Sequence, residues 1–219
     1  MKRKTLFGAL GSAVTLGIYV FGVRPWFLRW GATEAEVHET LPGDSLVFNP
    51  KHHDTHAITI HAPVTEVWPW LVQIGQDKGG FYSYAWLENL AGCRLHNADR
   101  VIAEYQDLKV GDSVRLHPAA PLPRAMIVEP YRAIVLGGGA ASANSPPFNY
   151  TWGFYVVKVD SATTRLLIRS RWKWDPGFLS WFGYRCLLEP AHFIMERKML
   201  LTLKACAEHA SRAPETIVR

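Results

Sequence analysis

His192 and Glu196 stand four residues apart in the stretch that follows Pro190 as far as His209, which contains no Gly or further Pro and is dense in Leu, Met, Lys and Glu. On a helix that spacing sets the two side chains one turn apart, within reach of each other. A carboxylate next to an imidazole orients the ring and raises its basicity, so the pair could act as a general acid–base. The same residues would serve equally as a structural contact in the first turns of a helix, and both readings stay open. A second concentration of imidazoles, His52, His53, His56 and His61, has the spacing HHxxH but lacks the acidic partner and helical context of a zinc motif. A metal needs three or four converging ligands with outer support, so these are read as loop and strand-edge histidines, with no metal site and no cofactor expected. Cys93, Cys186 and Cys206 are too widely spaced for a metal knuckle or a disulfide framework. The chain has no G-x-S-x-G, no H-E-x-x-H and no dinucleotide fingerprint, and Gly137-Gly138-Gly139 lacks the following Lys of a phosphate loop.

The elements that must position these groups follow from the pattern of apolar residues. Thr55 to His61 alternates as a strand does. Pro63 opens a helix with Val64, Val67, Trp68, Leu71 and Val72 on one face, ending at Gly75. Phe81, Tyr84, Leu87 and Leu90 repeat at helical spacing over 81–90. The period then changes, and Lys109–Leu116, Arg124–Glu129, Ala133–Leu136, Tyr150–Val159 and Thr164–Trp174 read as strands separated by Gly, Pro, Asp and Asn. The last element is a helix of about 30 Å. Helices segregated from a run of antiparallel strands make an α+β domain.

Within that frame the apolar stripe of the last helix is Leu188, His192, Met195, Met199, Leu203 and Cys206. On the final strand Ile168, Ser170, Trp172 and Trp174 share one face, while Arg169, Arg171 and Lys173 share the other, which is expected to be solvated. Trp152 and Phe154 alternate in the same way on the preceding strand. Tyr82, Tyr84 and Glu88, with the polar loop Cys93–Arg100, are candidates for the mouth of a cavity. The expected ligand-lining set is therefore Tyr82, Tyr84, Trp152, Phe154, Trp172, Trp174, Met195, Met199 and Leu203. A cavity with few polar groups suits an apolar small molecule such as a lipid, sterol, quinone or polyketide.

At the other end, the run Thr5–Val23 carries no charge and follows Lys2, Arg3 and Lys4. Its roughly 19 residues would span about 28 Å as a helix, close to a bilayer's hydrocarbon thickness. Arg24, Trp26, Phe27, Arg29 and Trp30 resemble an interfacial belt in place of a cleavage site. The expectation is a single-pass membrane anchor over residues 5–23, with the domain outside the cytoplasm because three basic side chains precede the span and two follow it. Ala9, Ala13 and Gly17 recur every four residues, spacing that would let the span pair with a membrane-protein partner. The divisions expected are 1–30 anchor and interfacial segment, 31–55 linker or strap, 56–210 ligand domain and 211–219 tail. A net charge of +5 from dispersed basic residues, with no recognition motif, gives no support to nucleic-acid binding.

The stretch Ala57-Ile58-Thr59-Ile60-His61-Ala62-Pro63-Val64-Thr65-Glu66-Val67-Trp68-Pro69-Trp70-Leu71 resembles the opening of the SRPBCC superfamily, the START-like and polyketide cyclase-like helix-grip domains. Gly80–Asn89 and Leu188–Arg197 are similar to a bacterial, membrane-anchored subgroup. The resemblance covers about 55–210 in element order and implies a curved antiparallel sheet wrapped around a long C-terminal helix, with a cavity between them. Its members are functionally mixed. Three functions are consistent with it: a non-catalytic binding or carrier module for an apolar molecule, an accessory subunit of a larger membrane complex, and a cyclase or dehydratase using His192 and Glu196. The carrier is the leading one, so the chain is read as more a binding protein than an enzyme.

Overall fold

The computed structural model describes residues 17–119, 121–138 and 149–212. Its elements in chain order are α1 (Arg24–Phe27), α2 (Glu34–His38), β1 (His52–Ile60), α3 (Val64–Val72), α4 (Ala85–Leu90), β2 (Arg124–Glu129), β3 (Ala133–Gly138), β4 (Tyr150–Lys158), β5 (Thr164–Trp172), α5 (Phe178–Phe182) and α6 (Glu189–Arg212). The five strands form one antiparallel sheet in the order β1-β5-β4-β3-β2. The register pairs His56 with Ile168 and Phe154 with Ile168 across the next ladder. Strand alternation therefore sends Ile60, Ile134, Leu136, Phe154, Val156, Leu166 and Ile168 to one face, where α6 supplies Met199, Leu200, Leu203 and Ala207. Val67, Trp68, Leu71 and Val72 of α3 complete this core. An α+β domain with a long C-terminal helix on one sheet face is the architecture expected of a helix-grip fold.

Several local expectations shift, each for a physical reason. The helix expected over 81–90 is shortened to Ala85–Leu90. Tyr82 adopts φ 56°, and the Asn97 side chain takes the backbone N–H groups of Phe81 and Tyr82 at 3.1 and 2.8 Å. Those donors are thereby withdrawn from any helix. The segment expected as a strand at Lys109–Leu116 forms an isolated bridge, Ser113 to Arg124, with backbone hydrogen bonds from Gly111 and Val114 and to Asp112 at the start of β2, and no continuous ladder. Asp112 accepts from its own turn at Lys109 N (2.8 Å), and Gly111 has φ 94°. Strand β1 begins three residues early, at His52, which decides the chemistry described below. The inward stripe of α6 is Glu189, Phe193, Glu196, Met199, Leu200, Leu203 and Ala207, and Leu188 is 47% exposed.

The single-pass membrane location is overturned. Among the described residues no helix is long and apolar enough to cross a membrane. Residues 5–16 of the expected span, including Ala9 and Ala13, lie outside the described residues. The belt that would have flanked it packs on the domain instead. Arg24 makes a two-pronged ion pair with the buried Glu189, Nε to Oε2 at 2.7 Å and Nη2 to Oε1 at 3.1 Å. Phe27 is buried and stacks on Phe193 (centroids 5.4 Å), Trp26 meets the edge of the same ring, and Trp30 lies under Arg197. Arg29 pairs with Glu34. Leu28 and Trp30 accept the backbone N–H groups of Thr55 (2.9 Å) and Ala57 (3.1 Å). The segment thus covers the edge of β1, a strand that would otherwise present unpaired backbone groups.

The basic face of β5 is not solvated. Residues 31–51 cross it as a strap, and all five N–H donors of the buried Arg169 are used: by Thr55 Oγ1 (3.0 Å), Asp44 Oδ2 (2.7 Å) and the carbonyls of Glu36 (2.7 Å), Val37 (3.2 Å) and Glu39 (2.7 Å). Arg165 grips Glu36 through both carboxylate oxygens and also reaches Gly31 O. The strap starts at Gly31, φ 75°, where a Cβ would lie 2.1 Å from Ala57 O; only glycine fits there.

Candidate functional site

Because β1 begins at His52, the alternation of a strand puts His52, Asp54 and His56 on its inward face. Opposite them α6 brings Glu189, His192 and Glu196, β5 brings Ser170 and Trp172, β4 brings Trp152, and Arg24 reaches in from α1. The result is a buried ionic network in which His52, Asp54, His56, Ser170, Glu189 and Glu196 are each at most 2% exposed.

Hydrogen-bond partners assign the protons. His56 Nε2 lies 2.8 Å from the carbonyl of Phe27, which can only accept, and His56 Nδ1 bonds a carboxylate oxygen of Glu196. Both ring nitrogens face acceptors, so the ring is an imidazolium. Burial works against that charge, but the carboxylates of Asp54 and Glu196 outweigh it and push the pKa of His56 up to about 9. His52 repeats the arrangement: Nε2 is 2.6 Å from Asp54 Oδ2, and Nδ1 is 3.0 Å from Glu189 Oε1 as an ion contact off the line of a hydrogen bond. Burial again opposes the charge, and Asp54 with Glu189 raises His52 to about 9. Burial would raise Asp54 and Glu196; His52 and His56 for the first, and His192 and His56 for the second, instead hold them below the usual carboxylate range. Three carboxylates therefore face two imidazoliums and Arg24, a near-balanced buried set.

His192 is the member at the boundary, its side chain 21% exposed. Its Nε2 has Ser170 Oγ at 3.1 Å, Glu196 Oε1 at 3.3 Å and Asp54 Oδ2 at 3.7 Å. With two carboxylates around Nε2, a proton belongs on that nitrogen. Glu196 Oε1 also accepts from Trp152 Nε1 at 2.7 Å, so this carboxylate fixes both an aromatic wall and an imidazole. The ring of Trp172 stacks on His52 (4.2 Å) and meets His192 edge-on (4.7 Å).

This network floors one side of a cavity of about 250 Å³ lined by Phe81, Ser83, Glu88, Leu116, Tyr150, Trp152, Trp172, His192, Met195, Glu196 and Met199. Of the expected site residues, His192, Glu196, Trp152, Trp172, Met195 and Met199 meet at this cavity. Trp174 lies in an adjoining cleft, stacked on Tyr184 at 4.3 Å. Phe154 and Leu203 are in the core. Tyr82 is buried with its hydroxyl accepting from Gln73 Nε2 (2.7 Å), and Tyr84 sits under Lys198 at the start of α4. The inward His52, Asp54 and His56, with Glu189, are not among the residues expected at the site, whereas Ser170 lies on the expected inward face of β5. The available signal was the period-two spacing His52-x-Asp54-x-His56, hidden by starting the strand at Thr55. Phe81, Ser83, Leu116 and Tyr150 come from loops and strand ends, and no periodicity marks them.

One atom each of Asp54, His192 and Glu196 lie within 4.8 Å of one another, a span that could hold a metal ion. Those oxygens already accept from His52, the Ser170 backbone N–H (3.0 Å), His56 and Trp152. Protons fill the positions a cation would take, so the donor set suits a proton network better than a metal.

No family model matches the chain, and no curated protein matches it. Among solved structures it is similar to the Zhui aromatase/cyclase from Streptomyces sp. R1128, with 14% identity over 74% of this chain and 96% of that one and a TM-score of 0.42. It is similar to a Polyketide_cyc-like protein, Cgl2372, from Corynebacterium glutamicum, at 14% identity, 72% and 90% coverage and a TM-score of 0.34. It is similar also to the Aha1 dimer from Colwellia psychrerythraea, at 17% identity, 72% and 96% coverage and a TM-score of 0.38. At these identities and TM-scores the architecture rests on the chain's own topology: five antiparallel strands, one long C-terminal helix, and an apolar cavity that ends on a buried acid–base network.

Proposed function

We propose that this chain is a helix-grip domain of the SRPBCC kind that binds a compact, ring-bearing apolar molecule, with a polar group of the ligand set against His192. The observation that carries the reading is the cavity itself. A concave pocket of about 250 Å³ walled by Phe81, Leu116, Trp152, Trp172, Met195 and Met199, with a few polar groups at one end, has the make-up of a small-molecule site. Its size lies just below the usual range of ~300–1,000 Å³ for ligand pockets, which favours a molecule of one or two rings over a sterol or a long acyl chain. The test uses ¹³C-methyl methionine labelling and titration with 2-ethylnaphthalene, 2-acetylnaphthalene and indole. Saturable shifts of the Met195 and Met199 methyls are expected, and Met199→Trp, which fills the space, should remove them. Absence of saturable shifts with all three probes would refute the reading.

A second reading, acid–base turnover of the bound molecule, is favoured by the acceptors gathered around His192 Nε2. Glu196 orients the ring through Nε2, leaving Nδ1 to exchange a proton with the ligand, and His56 holds Glu196 ionised. In that case His192→Ala removes turnover, while saturable binding at Met195 and Met199 persists, weakened by the loss of one polar contact.

A further inference from the structure

Glu88, on α4, lines the cavity. The residue is 4% exposed, and both carboxyl oxygens are buried without a hydrogen-bond partner. Among the described residues, no other side chain that lines this cavity carries such unpartnered buried atoms. A bare carboxylate in an apolar wall is strongly disfavoured, whereas a protonated carboxyl is tolerated there and carries one O–H donor and one acceptor. The groups around it do not relieve the burial with positive charge. The Cys93 thiol follows α4 in the chain and is itself pushed up by burial and by Glu88. Tyr150 of β4, His192 and Glu196 of α6 share the cavity, and the Tyr150 phenol is pushed up to about 12 by burial. Burial alone acts on Glu88, and raises it to about 7.

We propose that Glu88 is held as a neutral carboxylic acid and selects a ligand bearing a carbonyl oxygen, to which its O–H donates a hydrogen bond in the same cavity as the His192–Glu196 pair. This rests on the cavity being a binding site for an apolar ring compound, and it adds what the ligand must carry. A ketone or aldehyde oxygen accepts without bringing charge into the pocket. An anionic ligand would meet the unshielded carboxyl and Glu196 together. The two polar ends then differ in kind: Glu88 supplies a carboxyl O–H, and His192 supplies an imidazole nitrogen.

The test compares 2-acetylnaphthalene with 2-ethylnaphthalene, a pair matched in shape and differing in one oxygen. For the wild-type chain at pH 5.5 the ketone should bind about tenfold more tightly, the effect of one buried hydrogen bond. At pH 8.5, with Glu88 ionised, that preference should vanish. Glu88→Gln keeps an N–H donor and should retain the preference at both pH values; a change caused by His192 would persist in this variant. Glu88→Leu should erase the preference while 2-ethylnaphthalene still binds. Equal binding of the two probes at pH 5.5, or a preference that survives Glu88→Leu, would overturn the assignment while leaving the cavity reading standing. If neither probe binds, both fail as binding statements. The ¹³C carboxyl resonance of Glu88 in the free protein then still decides its protonation: a midpoint near the ordinary carboxylate value overturns the neutral acid.

Discussion

Glu196→Gln keeps the size and one carbonyl oxygen of the side chain but removes the charge on which the buried network is organised. In the native arrangement Glu196 accepts from His56 Nδ1 and from Trp152 Nε1, and both it and His56 are about 1% exposed. A glutamine can still accept from Trp152, and its NH₂ then faces His56 Nδ1. Two donors cannot share that contact, so His56 must lose the Nδ1 proton and become the neutral ring that donates only to Phe27 O. Holding an imidazole at about 9 rather than 6.5 corresponds to about 3 kcal/mol of preference for the charged form. Asp54 supplies part of that preference and stays in place, so the variant should lose about 2–3 kcal/mol near pH 6.5. The sign follows from the direction of the shift. A histidine whose folded pKa is raised contributes its full stabilisation below 6.5 and loses it as pH rises through about 9. The stability gap between wild type and variant should therefore shrink to below about 1 kcal/mol at pH 10.5. Urea denaturation at the two pH values measures the gap, and near neutrality a fall in melting temperature of about 4–12 °C should accompany it. The His56 ring resonances should report titration near or below 6.5 in the variant. A gap of equal size at pH 6.5 and 10.5 would refute the ion-pair account, because a purely steric defect has no reason to titrate.

Arg169→Met strips three strap carbonyls of the Arg169 donors and leaves Asp44 only Leu41 N–H and Arg171, and it should destabilise by about 3–5 kcal/mol, with limited proteolysis cutting first within residues 31–51. Glu88→Gln should stabilise the fold by about 1–3 kcal/mol at pH 8.5 and by nothing measurable at pH 4. The reason is that an acid raised to about 7 in the fold charges unfavourably as pH rises through that value, so denaturation curves that coincide at pH 8.5 would contradict it. Arg24→Met removes the tie between α1 and Glu189, and amide exchange of Thr55 and Ala57, which donate to Leu28 and Trp30, should accelerate at least tenfold; unchanged protection would show that the Phe27–Phe193 contact alone holds the segment.

Much of the fold was legible because it depends on local periodicity. The two-residue alternation at Tyr150–Val159 and Thr164–Trp174, the helical spacing after Pro63 and the uninterrupted run after Pro190 each become the expected element within a few residues. His192 and Glu196 were legible as a pair because four residues on a helix is one turn. Other features required the tertiary structure. Arg169 and Arg171 look like part of a solvated face until the strap folds back over them, and nothing in their spacing announces Asp44 or the carbonyls of Glu36, Val37 and Glu39. Arg24 and its aromatic neighbours have the composition of a membrane belt, yet their partners are Glu189, Phe193 and Arg197, more than 150 residues away in the chain. Glu88 differs from any surface glutamate only in what surrounds it, and burial is a property of packing, not of spacing. Which residues share a strand face or a helix turn follows from the order of amino acids, since backbone geometry dictates it. Which of those faces meet, and hence which histidines are charged and which carboxyl is neutral, was decided only when the sheet and α6 closed on each other, because pKa and cavity both arise from groups brought together across the chain.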